Sequence, residues 1–205
     1  MQEQERAQAR HEKILDAALS VFGRKGYSAT GVDDIAAESA TSKGGVYFHF
    51  PGKQAIFLAV LDRAARMLRA KADEAIASQT DPIAKADAAL LAVLSTFSRH
   101  RTLASLFLVE SLGAGREFHQ RIVQLHDEFT DLIKLHLDEA VASGAIDPVD
   151  TEVAARAWFG ALNEVITSWV LSGRPKRLED AYAPLRPLLM RSVGARERQS
   201  TVRPG

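Results

Sequence analysis

The sequence predicts an all-α protein of about nine helices, because helical periodicity runs through most of its 205 residues. Apolar residues recur at intervals of three and four, the spacing of one buried helix face. Glycine, proline and Ser/Asp clusters divide this pattern and supply start and stop signals for helices. Only Val46–Phe50 alternates as a strand would, and helical segments surround it.

The first three predicted helices are joined by small turns. The first covers about residues 6–25, and Gly26 is placed to end it in a left-handed conformation. A capping box that begins at Thr30 predicts the second helix. Ser42 is placed to cap a third, over residues 43–49. Two short helices joined by a tight turn are typical of a helix-turn-helix.

Longer helices are predicted after Pro51-Gly52, and their limits follow from further Gly, Pro and Asp signals. The predicted ranges are about 53–78, 82–98, 102–112, a segment after the break at 113–115 to about 143, 150–171 and 178–193. Composition changes near residue 51. We therefore expect an N-terminal domain over 1–52 with its motif at about 33–52, a C-terminal domain over 53–194 whose first helix links the two, and a disordered tail over 195–205.

Composition excludes several functions. The formal net charge is zero, so any attraction to nucleic acid must be local. There is no cysteine, which excludes disulfides and thiolate chemistry and is compatible with the cytoplasm. No apolar run is long enough to cross a membrane. No nucleophile is paired with a base, so we predict neither an enzyme nor a cofactor.

The third predicted helix suits the major groove. Small, polar and basic residues form its outward side, whereas Val46 and Phe50 pack inward. No acidic residue occurs between Glu38 and Asp62, and Lys43 lies in that window. A double-stranded DNA partner is therefore predicted at this segment.

These residues carry a family resemblance. The segment ILDAALSVFGRKGYSATGVDDIAAESATSKGGVYFHFPGKQAIFLAVL resembles the N-terminal domain of the TetR/AcrR transcriptional regulators. The family pattern is F-x-x-x-G-Y/F, a Thr followed by x-x-D/E-I-A, then S-K-G-x-x-Y-x-H-F and a downstream lysine. The resemblance implies DNA contacts from Thr30, Ser42, Lys43, Gly44, Gly45, Tyr47, His49 and Lys53. Both glycines are interpreted as letting the helix tip approach the base edges closely. The usual turn glycine of the family is Ala40 here.

The C-terminal region of the resembled family encloses a small-molecule effector. Its aromatic residues here are candidates for the pocket wall, and polar residues on the same segments are candidates for orienting a ligand. The full set is Phe97, Phe107, Glu110, Phe118, His119, His126, Phe129, Trp158 and Asn163. His119 and His126 do not predict a metal site, because seven residues place them about 10 Å apart along a helix. An apolar or acyl-type effector is expected.

The last two predicted helices are candidates for a homodimer interface, because they are apolar around more of their circumference than one buried face needs. The candidate residues are Ala161, Val165, Trp169, Leu178, Tyr182, Leu185 and Leu189. Burial of these residues within the monomer is the alternative.

Together these features predict a homodimeric, ligand-responsive repressor of a palindromic operator. An activator or corepressor-dependent regulator of the same fold is a second hypothesis, and ligand would then tighten DNA binding. A helical ligand-binding module without DNA function is a third, and the intact DNA-binding motif argues against it.

Overall fold

The computed structural model describes residues 2–110 and 116–195, and over these residues the protein is helical and has no strand. The predicted all-α fold is confirmed. These described residues form nine α-helices, which are in chain order α1 Gln2–Ala29, α2 Val32–Glu38, α3 Lys43–His49, α4 Lys53–Ala77, α5 Pro82–Arg99, α6 Arg101–Ser105, α7 Arg116–Ala142, α8 Thr151–Ser172 and α9 Tyr182–Ser192. A π-helical turn, Leu106–Glu110, continues α6, and a 3-10 turn, Leu178–Ala181, precedes α9. The predicted break at 113–115 and the tail after residue 195 lie outside the described residues.

The regular first segment of α1 ends at Gly26, as predicted, and a short helical segment follows the kink at this residue. Gly26 has a φ of 74°, a left-handed value that glycine adopts without strain, and the helix resumes beyond it to Ala29. The predicted capping box is displaced by one residue: the backbone N–H of Gly31 donates to Oδ2 of Asp34 over 2.9 Å. Thr30 does not cap α2, because its buried hydroxyl donates to the carbonyl oxygen of Gly26 over 2.7 Å.

Helices α1 to α4 share an N-terminal core. Buried side chains at three- and four-residue spacing on α1 pack against the inward faces of the other three helices. The largest of these side chains are Ile14, Leu15, Phe22, Ile35, Val46, Phe50, Ile56 and Phe57. Because Val46 and Phe50 belong to this core, it fixes the orientation of α3 relative to the other three helices.

Helix α4 continues from the N-terminal core into the C-terminal helices and packs along α5. Helices α7 and α8 form a second packed pair. Helix α9 is tied to α5 by a two-pronged ion pair, in which Arg186 Nε lies 2.8 Å from Asp87 Oδ1 and Arg186 Nη2 lies 2.9 Å from Oδ2. Within the described residues, no helix is both long and apolar enough to cross a membrane.

Candidate DNA-reading surface and apolar cavity

Ser42 begins the recognition helix α3. Its Oγ accepts a hydrogen bond of 3.1 Å from the backbone N–H of Gly45 and thereby satisfies one free donor of the first turn. Val46 and Phe50, four residues apart, are 0% and 5% exposed and fix the inner face. The opposite side of α3 therefore faces solvent.

The two glycines of α3 differ in their surroundings. A Cβ built on Gly44 would meet no atom within 4 Å, so this position opens toward solvent. A Cβ on Gly45 would lie 2.8 Å from Thr41 Cγ2 and 3.2 Å from Ser42 Oγ. The open space at Gly44 is compatible with the predicted close approach to DNA, which stays a prediction, whereas the space at Gly45 is partly taken up by Thr41 and Ser42. A side chain at position 45 would require Thr41, in the turn that precedes α3, to move.

Two aromatic side chains project from the exposed side of α3. Tyr47 is 47% exposed and Phe48 is 83% exposed. Phe48 was not among the residues predicted to contact DNA. Its position, two residues from each of the buried Val46 and Phe50, is the signal that could have identified it, since such a residue points away from the buried face.

Lys43 is paired with an acidic residue from α2. Its Nζ lies 2.9 Å from Asp33 Oδ2, and both side chains are exposed. The hydrogen bond that Lys43 donates to the carboxylate of Asp33 raises the pKa of Lys43, so the ammonium group stays charged. No acidic residue lies between Glu38 and Asp62 in the sequence, but the fold brings Asp33 next to Lys43. An exposed pair of this kind is weak, so Lys43 can turn from Asp33 toward a phosphate or a base edge.

His49 is the last residue of α3, and Lys53 is the first residue of α4. Partial burial lowers the pKa of His49, and the nearby charges of His11 and Arg10 lower it further, so the ring is neutral at pH 7. Lys53 donates to the carbonyl oxygens of Tyr27 at 2.9 Å and Ser28 at 3.3 Å. It thus also holds the end of α1.

The turn before α3 is strained at one residue. Ala40 has a φ of 47°, the left-handed conformation that costs a residue with a Cβ about 1–2 kcal/mol. The same geometry explains why a glycine suits this position in the resembled family. Thr30, by contrast, is 3% exposed, so its side chain is corrected from a DNA contact to an internal support of the α1–α2 loop.

An apolar cavity of about 140 Å³ lies between α4, α5, α7 and α8. Of the predicted pocket residues, six line it: Phe97, Phe107, His126, Phe129, Trp158 and Asn163. Two do not, and this corrects the prediction. Phe118 is buried against Tyr27 and Phe57, with ring centres 5.0 and 5.4 Å away, and His119 faces solvent. The side chain of Glu110 lies outside those described.

The cavity wall holds few polar groups. His126 and Asn163 lie along it, and Lys85 and His136 lie at the end formed by the start of α5. Burial lowers the pKa of His126, so its ring stays neutral and the cavity interior carries no charge at this point.

The predicted dimer residues are mostly part of the monomer core. Trp169, Leu178, Leu185 and Leu189 are 4%, 0%, 7% and 3% exposed, and Ala161, Val165 and Tyr182 are partly buried. The prediction is corrected for these four residues, because their side chains face the chain's own helices, and for Ala161, Val165 and Tyr182 it stays a prediction. Six exposed small and apolar residues of α8 and α9, here called the exposed stripe, are Ala157, Gly160, Leu171, Ala183, Pro184 and Leu188, and Glu164 and Ser168 are exposed among those of α8.

A capped recognition helix that follows α2 across a tight turn, seated on α1, defines a helix-turn-helix DNA-binding protein. Residues 14–60 match the family model of the bacterial regulatory proteins of the tetR family. Residues 79–183, more than half of the chain, match the tetracyclin repressor-like C-terminal domain. The chain belongs to the TetR family of transcriptional regulators, and the predicted resemblance is confirmed.

Similar proteins are regulators of transcription. The HTH-type regulator YhgD of Bacillus subtilis is 28% identical over 161 residues, which cover 78% of this chain and 84% of YhgD. The fatty acid metabolism regulator protein of B. subtilis is 23% identical over 164 residues, 80% of this chain and 84% of that protein. Among solved structures, FadR of Bacillus halodurans gives a TM-score of 0.84 at 23% identity and covers 91% of this chain and 97% of its own. FadR of B. subtilis in complex with stearoyl-CoA gives a TM-score of 0.81 at 23% identity, and the match covers 87% of this chain and 96% of the FadR chain.

Proposed function

We propose that this regulator is a repressor that binds a palindromic operator as a homodimer and is released by an acyl-type effector. The observation that carries the proposal is the combination, on one chain, of an exposed α3 surface with an apolar cavity joined to it by α4. The fatty acid metabolism regulator and the FadR complex with stearoyl-CoA support the choice of effector. The cavity of this protein supports it too, because apolar side chains line most of its wall and suit a hydrocarbon chain.

The proposed DNA contacts come from α3 and its flanks. Ser42, Tyr47 and Lys53 suit phosphate contacts, and neutral His49 would donate or accept a hydrogen bond. Gly44 allows close approach to the base edges. We add Phe48 as an apolar contact to thymine methyl groups, since its side chain is 83% exposed on this surface. Gly45 acts only by shaping the turn.

The proposed dimer joins the exposed stripe of α8 and α9 to its copy. Leu188 is 56% exposed, and a Cβ on Gly160 would meet no atom within 4 Å. Two copies related by a two-fold axis would present two recognition helices to half-sites about 34 Å apart. Sedimentation tests this face: Leu188→Glu should yield monomers. The matched control is Leu135→Glu, which changes a leucine of 53% exposure on α7 and should leave the dimer intact.

The function is tested by a mobility-shift titration on the operator selected from genomic DNA. Wild-type protein should bind a palindromic site, and palmitoyl-CoA should release it. Phe48→Ala with Tyr47→Ala should weaken binding strongly while the fold stays intact. If the ligand tightens DNA binding, the protein is a corepressor-dependent regulator or an activator. If the double variant binds DNA as the wild type does, α3 is not the helix that binds the operator.

A further inference from the structure

One end of the cavity carries a pair of nitrogen-bearing side chains. Lys85 of α5 and His136 of α7 both line the cavity, with side chains 25% and 21% exposed. Glu139 reaches both: its Oε2 lies 3.4 Å from Lys85 Nζ and 3.1 Å from His136 Nδ1. Lys85 and His136 therefore both contact the same carboxylate oxygen, that of Glu139.

The rest of the cavity is suited to a hydrocarbon chain. Its two other notable polar groups, His126 and Asn163, lie further along the wall. His126 precedes His136 by ten residues of the same helix, a distance of about 15 Å. The wall around this length of α7 is apolar and includes Leu90, Val93, Leu132 and Ile133.

We infer that the cavity takes a single-chain lipid with an anionic head, and that Lys85 and His136 bind this head in place of Glu139. The inference rests on the acyl effector proposed above and adds to it the head-group site and the orientation of the ligand. The chain lies along α5 and α7, with its head at the start of α5.

Glu139 contacts both of the groups that the proposal assigns to the ligand's head. The hydrogen bond with His136 lowers the pKa of Glu139, and Lys85 lowers it further, so the group held there is a carboxylate anion. Its side chain is 45% exposed, so it can turn into solvent as the ligand's anion enters. A neutral head would leave Glu139 in place and gain no ion pair.

Two kinds of ligand share this chemistry: a free fatty acid, with its carboxylate, and an acyl thioester that carries phosphates. The experiment uses calorimetric titration of the full chain with palmitate, palmitoyl-CoA and cetyl alcohol, which has a comparable chain and no charge. If the affinity for palmitate falls in Lys85→Ala, the carboxylate is the head group that the site binds. If only the affinity for palmitoyl-CoA falls in Lys85→Ala, the phosphates are the head group.

Lys85→Ala should weaken binding of the anionic ligand on the order of tenfold, because a hydrogen bond to a charged group is lost, and should leave cetyl alcohol unaffected. His136→Ala should act in the same direction. Glu139→Gln should instead tighten the anionic ligand by roughly threefold, because the competing carboxylate is gone. Lys134→Ala is the matched control, since Lys134 pairs with Asp138 at 2.7 Å on the same helix and does not line the cavity.

The outcomes separate the two proposals. If none of the three lipids binds, the acyl effector is wrong and this inference falls with it. If they bind and Lys85→Ala weakens the alcohol and the anions equally, the acyl effector stands and the head-group site is wrong. Glu139→Gln that weakens the anionic ligand would also overturn the site, because it would show that Glu139 supports the ligand.

Discussion

The two neighbouring glycines of the recognition helix provide a test that separates DNA reading from folding. Gly44→Ala and Gly45→Ala add the same methyl group one residue apart in the first turn of α3. At Gly44 the methyl group meets nothing within 4 Å, whereas at Gly45 it lies 2.8 Å from Thr41 Cγ2. The same chemical change should therefore act on DNA binding at one position and on stability at the other.

The magnitudes follow from helix propensity and packing. Alanine is favoured over glycine within a helix by up to about 1 kcal/mol, and less in a first turn, so Gly44→Ala should raise the free energy of unfolding by about 0.5 kcal/mol. At Gly45 the same gain is offset by overpacking, which costs about 1–3 kcal/mol. Relief requires Thr41 to rotate, and Thr41 Oγ1 would then lose its 3.3 Å hydrogen bond to the carbonyl oxygen of Ser39. We expect Gly45→Ala to be destabilising by about 1 kcal/mol.

Thermal unfolding and operator binding by fluorescence anisotropy check both values. For a chain of this size, 1 kcal/mol moves the melting temperature by about 2–4 °C. Gly44→Ala should melt no lower than the wild type and yet bind the operator at least about tenfold more weakly, because the methyl group stands between α3 and the base edges. Wild-type affinity for Gly44→Ala would refute the close approach at Gly44. A melting temperature for Gly45→Ala equal to that of Gly44→Ala would refute the steric role of Gly45.

Three further predictions follow from other parts of the fold. Ala40→Gly should stabilise the protein by about 0.5–1 kcal/mol in urea unfolding, because it removes left-handed strain that exceeds glycine's added unfolded-state entropy; a loss of stability would contradict this. Because burial lowers the pKa of His126, the unfolded chain takes up a proton below about pH 6.5 that the folded chain resists, so stability should fall with acidity there, and His126→Gln should reduce that fall. Arg121→Ala should leave effector affinity near wild type and weaken effector-induced release from the operator, because Arg121 of α7 binds Asp62 of α4 at 2.7 Å; full release in the shift assay would exclude this route.

Local signals were sufficient to predict α3. The Ser42 cap and the inward pair Val46 and Phe50 depend only on spacing within one helix, and the structure has both. The capping box was displaced by one residue because Thr30 uses its hydroxyl on Gly26, a contact made possible by the bend in α1. The ion pair between Lys43 and Asp33 was not predicted, because it depends on the turn that brings two helices together.

The C-terminal errors have a different cause. A helix that is apolar around most of its circumference has two buried faces to assign, and periodicity alone does not tell which one meets the chain's own core. Trp169 and Leu185 were therefore placed in the dimer interface although they are 4% and 7% exposed in the single chain. Phe118 was placed in the pocket for a similar reason, since burial of an aromatic residue does not identify its neighbours.

The position of Phe118 suggests how a ligand signal could cross the molecule. Helix α7 is one continuous rod over Arg116–Ala142, and its later turns line the cavity through His126 and His136. Its first turns touch the DNA-binding domain, where Phe118 packs on Tyr27 of α1 and Arg121 holds α4. A ligand that displaced α7 at the cavity would therefore act on a helix that also holds these contacts. These contacts give α7 a route to the DNA-binding domain beside that of α4, and the Arg121→Ala experiment tests whether effector control uses it.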